Sequence, residues 1–140
     1  MLFLNDLVAA HPTQAEIVTA GTSSGGRAIT GIHFWGSGGK GSKPAVVLHG
    51  TVHAREWITT MTTEYFAYNL LSNYASSAEI KGFVDKYDYY IFPVVNPDGM
   101  WLITKSISQY DSNLSQVLSI HRQQTDSGVR TVKVHHRGRV

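Results

Sequence analysis

"AVVLHGTVHAREWITTMTTEYFAYNLLSNY", residues 45–74, passes from strand character to helical character with no proline or long loop between the two. Ala45–Leu48 is a continuous apolar run of strand length, the pattern expected of a strand buried on both faces. In the segment after it, Ile58, Met61, Tyr65 and Tyr68 fall at i, i+3, i+7 and i+10. That spacing predicts a long amphipathic helix, whose apolar stripe ordinarily faces a core. A buried strand running directly into a long helix is a unit of an α/β domain.

Reading outward from this unit extends the same order. Leu2, Phe3, Leu7 and Ala10 recur at helical spacing, and His11-Pro12 ends the run, because the residue before proline disfavours the α region. "EIVTAGTS" and "AITGIHFWG" alternate apolar and polar residues and are joined by Gly25-Gly26, which predicts a β-hairpin. "GSGGKGSKP" reads as a flexible surface loop. On the other side, "SAEIKGFVDKYD" predicts a shorter helix with Ser77 as N-cap, and "YYIFPVV" a second buried strand running into the turn tetrapeptide "NPDG", residues 96–99. Helix, hairpin, strand, helix, helix, strand describes an α/β domain around a mixed sheet.

Composition agrees with a folded body. The chain has 140 residues, 42% of them apolar, and a net charge of +2, enough for one domain with a core. Much of the positive excess lies in the last twenty residues, so residues 1–99 give no electrostatic case for nucleic acid. There is no cysteine, which excludes thiolate metal sites and disulfides. No eighteen-residue apolar window exists to span a membrane. "MLFLNDLVAA" lacks the basic start of a secretory leader and reads as the first helix of a domain, any leader lying upstream of Met1.

The residues that carry chemistry are His49, His53 and Glu56. They stand where the strand ends and the helix begins, the usual place for ligands in an open α/β sheet. His53 and Glu56 are three apart across the first helical turn and can point to one spot. An imidazole and a carboxylate suit zinc, and His₂Glu with an open fourth position is a catalytic set. Spacing alone equally fits a glutamate complementing the helix dipole beside a surface histidine. Arg55 adds a cation able to hold an anionic substrate group. His49 reads as a packed histidine near the ligands rather than a ligand, and His11 and His33 as surface or packing residues.

"HGTVHAREWIT", followed by a helix and then "FPVVNPDG", resembles the zinc metallocarboxypeptidases of the carboxypeptidase A and B type, particularly fungal secreted members. "NDLVAAHPTQAEIVTAGTSSGGRAITGIHFWG" is similar to the family's stretch ahead of the zinc motif, so the likeness covers about residues 3–99. The resemblance implies a truncated α/β domain, a mixed β-sheet sandwiched with helices. It implies Zn²⁺ as cofactor with His53 and Glu56 as two metal ligands, and Arg55 as a substrate-binding residue. It further implies a monomeric, extracellular enzyme that removes C-terminal residues from peptides and proteins, with no nucleic-acid or membrane partner. The family's third zinc ligand, a downstream histidine, and its general-base glutamate both fall beyond this chain, which on its own is expected to be inactive, with no catalytic residue of its own.

After Gly99 the local signals stop agreeing. "MWLITKSISQYDSNLSQVLSI" has apolar residues without sustained period, and residues 121–140 hold three histidines, four arginines and one lysine against a single acid, Asp126. Synonymous codons for "HRQQTDSGVRTVK", read from their third base, spell STTDRLWRKNRQ, which resembles the arginine-rich tract that follows "NPDG" in the family. "VHHRGRV" can likewise supply the proline-rich GPPPGPC. Gly99-Met100-Trp101 can be encoded with GTATGT, a usual fungal intron start. Residues 1–99 are therefore read as the N-terminal part of the catalytic domain. Residues 100–140 are read as an aberrant, disordered tail, 100–116 being translated intron and 117–140 the next exon out of frame. Two competing readings are a basic-tailed module binding nucleic acid or acidic surfaces through residues 121–140, and a decoy that sequesters an inhibitor of the full-length enzyme.

Overall fold

The computed structural model describes residues 2–126. In chain order these form α1 (Leu2–Ala10), β1 (Ala15–Thr22), β2 (Ala28–Phe34), β3 (Ala45–His49), α2 (Trp57–Ser72), α3 (Ala78–Lys86), β4 (Asp88–Phe92) and α4 (Pro97–Asp126). The chain divides into two compact units between Ile103 and Thr104. The first unit contains the sheet, the first three helices and the start of α4; the second contains the remainder of α4.

The element order up to β4 is the one the sequence predicts. β1 and β2 form the hairpin, closed by Ser23 N–H to Arg27 O at 2.8 Å and Gly26 N–H to Ser23 O at 3.0 Å. Gly26 sits at φ +77°, a conformation glycine adopts without a Cβ penalty. Ser77 caps α3 by accepting the Ile80 N–H at 3.3 Å, with Glu79 in the first turn and Lys86 in the last, both complementing the helix dipole. The sheet order is β1-β2-β4-β3, with β2 antiparallel to both β1 and β4, and β3 parallel to β4. This is a mixed sheet, and the fold class is α/β.

The core lies between this sheet and the helices. Ile32, Phe34 and Ile91 from the inner strands meet Leu4 and Leu7 of α1, Ala67 and Leu71 of α2, and Val84 of α3. Phe34 and Tyr89 stack with ring centroids 5.2 Å apart. His33 is a packing residue, buried, with its ring stacked on Tyr90 at 4.0 Å. Its Nδ1 lies 3.1 Å from Glu16 and its Nε2 3.3 Å from Asp88. The Lys40 ammonium, 2.7 Å from Glu16, and then His33 hold the Glu16 carboxyl below its ordinary value.

The structure differs from expectation at four points. β3 is not buried on both faces: it forms an edge of the sheet, and Val47 is 58% exposed. A strand enclosed in sequence by a loop and a helix carries no local mark of which neighbours it will have. α2 buries Thr60, Thr63, Ala67, Leu70 and Leu71, while Ile58, Met61, Tyr65 and Tyr68 face outward. The helix is apolar on two sides, and the side with smaller residues is the one that packs closely on the sheet. Finally, "NPDG" does not end in an open turn. Asn96 Oδ1 accepts the Gly99 N–H at 2.9 Å, which makes Asn96 an N-cap with Pro97 in the first helical position. Residues expected to lack structure from 100 to 126 are helical, and 127–140 lie outside the described residues.

Candidate metal centre

Because β3 and β4 run parallel, their carboxyl ends lie together, with His49 paired to Phe92. The loop leaving β3 and the loop leaving β4 therefore run side by side, and backbone bonds tie them. Gly50 N–H donates to Phe92 O at 2.9 Å, and Val95 N–H donates to Gly50 O at 3.1 Å. A Cβ on Gly50 would stand 2.7 Å from Thr59 O and 2.8 Å from Pro93 O, so only glycine passes between α2 and the end of β4. Thr51 follows at φ +55°, fully buried. One residue further, Val52 O accepts from Asn96 Nδ2 at 3.0 Å.

This suspended loop then turns into α2. Glu56 N–H donates to His53 O at 3.0 Å, which closes a tight turn over residues 53–56. Trp57 Nε1 donates to Ala54 O at 3.1 Å, and Thr59 Oγ1 donates to Glu56 O at 2.7 Å. The turn brings the two predicted ligands together: His53 Nδ1 lies 3.2 Å from Glu56 Oε1, with the side chains 78% and 52% exposed. Two donors on one tetrahedral zinc, at bond lengths of about 2.0–2.2 Å, stand roughly 3.4 Å apart. The pair is thus spaced like one edge of such a site and opens to solvent, so its chemistry and geometry fit two of zinc's ligands. Among the described residues, no third His, Cys, Asp or Glu joins them in a group able to hold a metal.

Arg55 lies on the same turn and is exposed, open to a ligand arriving from solvent. His49, expected to support the ligands from behind or to be packed, is exposed at the end of β3, which removes the packed alternative. A further clamp steadies the other flank. The Asp98 carboxylate accepts from Ser23 Oγ at 2.8 Å, Gly25 N–H at 2.8 Å and Arg27 Nη1 at 2.8 Å, drawing the hairpin turn onto the start of α4. These donors, Ser23 first, bring its carboxyl down to about 2. The Arg27 guanidinium also lies 4.4 Å from the centroid of the Trp101 ring. Sequence reasoning passed over Asn96, Asp98 and Thr51. An asparagine before proline was a legible cap signal, whereas nothing in the residues marks Thr51 as left-handed.

The zinc carboxypeptidase family matches residues 1–131. Over 97 residues the chain is 57% identical to metallocarboxypeptidase A of Trichophyton tonsurans, a match covering 69% of this chain and 23% of that protein. Carboxypeptidase A from Helicoverpa armigera superposes with a TM-score of 0.59 at 30% identity, over 69% of this chain and 23% of that one. Thrombin activatable fibrinolysis inhibitor shares the fold, with a TM-score of 0.63 at 24% identity over 69% of this chain and 24% of that one. The chain spans about a quarter of the length of the relatives it matches. A strand-end His-x-x-Glu pair, a parallel strand couple that carries it and the family match across most of the sequence agree: this chain belongs to the zinc carboxypeptidase family.

Proposed function

We propose that this chain is the N-terminal, ligand-bearing part of a secreted zinc metallocarboxypeptidase domain that removes C-terminal residues from peptides and proteins. The observation that carries this is the 3.2 Å approach of His53 Nδ1 to Glu56 Oε1 at the carboxyl end of the parallel strands. His53 and Glu56 hold the metal, and Arg55 offers its guanidinium to a substrate carboxylate. When bound, zinc polarises a scissile carbonyl and lowers the pKa of its water to about 7. The coverage of only 23% of the fungal relative supports placing the third ligand and the general base in sequence this chain does not contain. By itself the chain then binds zinc weakly and hydrolyses no peptide at a measurable rate.

Residues 100–140 are, in this proposal, read from an intron and a shifted frame. The division of the chain after Ile103 supports treating the residues beyond it apart from the domain, and sets residues 100–103 with the domain. Two experiments test the reading. Zinc titration of the full chain should perturb the His53 ring, and Glu56→Gln should abolish that perturbation; an unchanged His53 response in this variant would remove the assignment of the two residues as a ligand pair. Sequencing the transcript across the codons for Gly99–Ile120 should find a spliced form joining Gly99 to an in-frame arginine-rich tract. Recovery of the unspliced message alone would make the tail a genuine segment.

A further inference from the structure

We propose that Thr51 is a positioning residue for the His53–Glu56 pair, an inference that rests on the metal reading of that pair. Thr51 combines features that are individually uncommon. It is a β-branched residue at φ +55°, where its side chain crowds its own backbone. It is 1% exposed, whereas Val52, His53, Arg55 and Glu56 after it are exposed. Conformations of this kind persist only where the surroundings over-determine them, and here they do. Thr51 N–H donates to Thr59 Oγ1 at 2.8 Å, and Thr51 Oγ1 donates to Pro93 O at 3.0 Å while also meeting the Thr60 hydroxyl.

Those three partners belong to two different elements. Thr59 and Thr60 lie in the first turn of α2, and Pro93 follows β4. Thr51 thus pins the chain simultaneously to the helix that carries Glu56 at its entrance and to the strand whose end supports the loop. Two residues later the chain presents His53. Thr59 extends the link, since its hydroxyl donates to Glu56 O while accepting from Thr51. The two candidate ligand side chains are 78% and 52% exposed, so burial alone does little to fix them. The turn over residues 53–56 brings the two side chains together, and the backbone that Thr51 holds sets where that turn stands against α2 and the end of β4. Partners that orient metal ligands in this way typically contribute about ten- to a hundredfold in metal affinity.

The test uses the full ¹⁵N-labelled chain titrated with zinc ion, following the His53 ring nitrogens by NMR so that zinc bound at other histidines is not counted. Thr51→Ala should weaken zinc binding at His53 by about tenfold or more, because it removes the hydroxyl links. Thr51→Ser, which keeps the hydroxyl, should restore binding close to that of the parent. Thr60→Val, which removes a hydroxyl partner from the helix side, should weaken binding in the same direction and decides the question if Thr51→Ala does not fold. A folded Thr51→Ala chain with parental affinity at His53 overturns the positioning role and leaves the metal pair standing. A parent chain with no zinc response at His53 overturns the metal reading and this inference with it.

Discussion

The two sides of the sheet are built differently. On the side of β1, β2 and β4, Ile32, Phe34 and Ile91 are fully buried, and His33, Glu16, Asp88 and Lys40 link strand to strand and strand to loop. On the side of β3 and α2, Val47 is 58%, Ile58 72% and Tyr65 64% exposed. The candidate ligands stand on the second side. A small domain ordinarily covers its large apolar surfaces, and a broad exposed patch marks a surface made for contact. The half with the buried strands is closely packed, and the half bearing His53 and Glu56 faces outward.

Mutations can break or sharpen this contrast. The largest effect is expected for Phe34→Ala in the closed half, a loss of about 3–5 kcal/mol in urea unfolding, since a large buried ring leaves a cavity. Asp98→Asn should show its effect in acid. The Asp98 carboxyl is depressed, so the stability it adds is present above the ordinary value of 3.8 and fades as pH falls toward about 2. Between pH 5 and pH 2 the parent should therefore lose more of its urea midpoint than Asp98→Asn does, and parallel curves would sink the clamp. Ser77→Ala should cost about 1 kcal/mol by removing the α3 cap. Tyr65→Ser, on the outer face of α2, should change stability by no more than about 0.5 kcal/mol. If it costs as much as Phe34→Ala, that face is packed and the contrast between the two sides is wrong.

Much of this was legible in sequence because local signals agreed with one another. The hairpin followed from alternation and a glycine pair, and α3 from Ser77; the His53–Glu56 approach was expected across the first helical turn, whereas a tight turn ahead of α2 makes it. What was not legible depended on neighbours. Residues 57–72 carry Ile, Met, Tyr, Phe and Leu around most of the helix, so periodicity could select a stripe but not the one that meets the sheet. Ala45–His49 has the composition of an enclosed strand and becomes an edge through the sheet order alone. Asn96-Pro97-Asp98-Gly99 suits a turn and a helix start equally, and the Asn96 hydrogen bond to Gly99 decides between them. Thr51 shows the limit most clearly, since its backbone angle is imposed by Thr59 and Pro93, residues that sequence reading has no reason to bring together.

The knot around Gly50 and Thr51 also bears on the order in which the site is made. All the bonds that hold the loop come from residues 50–60 and 92–99. Chains emerge from the ribosome amino end first and tend to fold in that order. The turn bearing His53 and Glu56 can thus be assembled as soon as the "NPDG" segment has cleared the exit tunnel. The turn that presents His53 and Glu56 thus takes its shape from two short stretches of chain and waits on nothing synthesised after them.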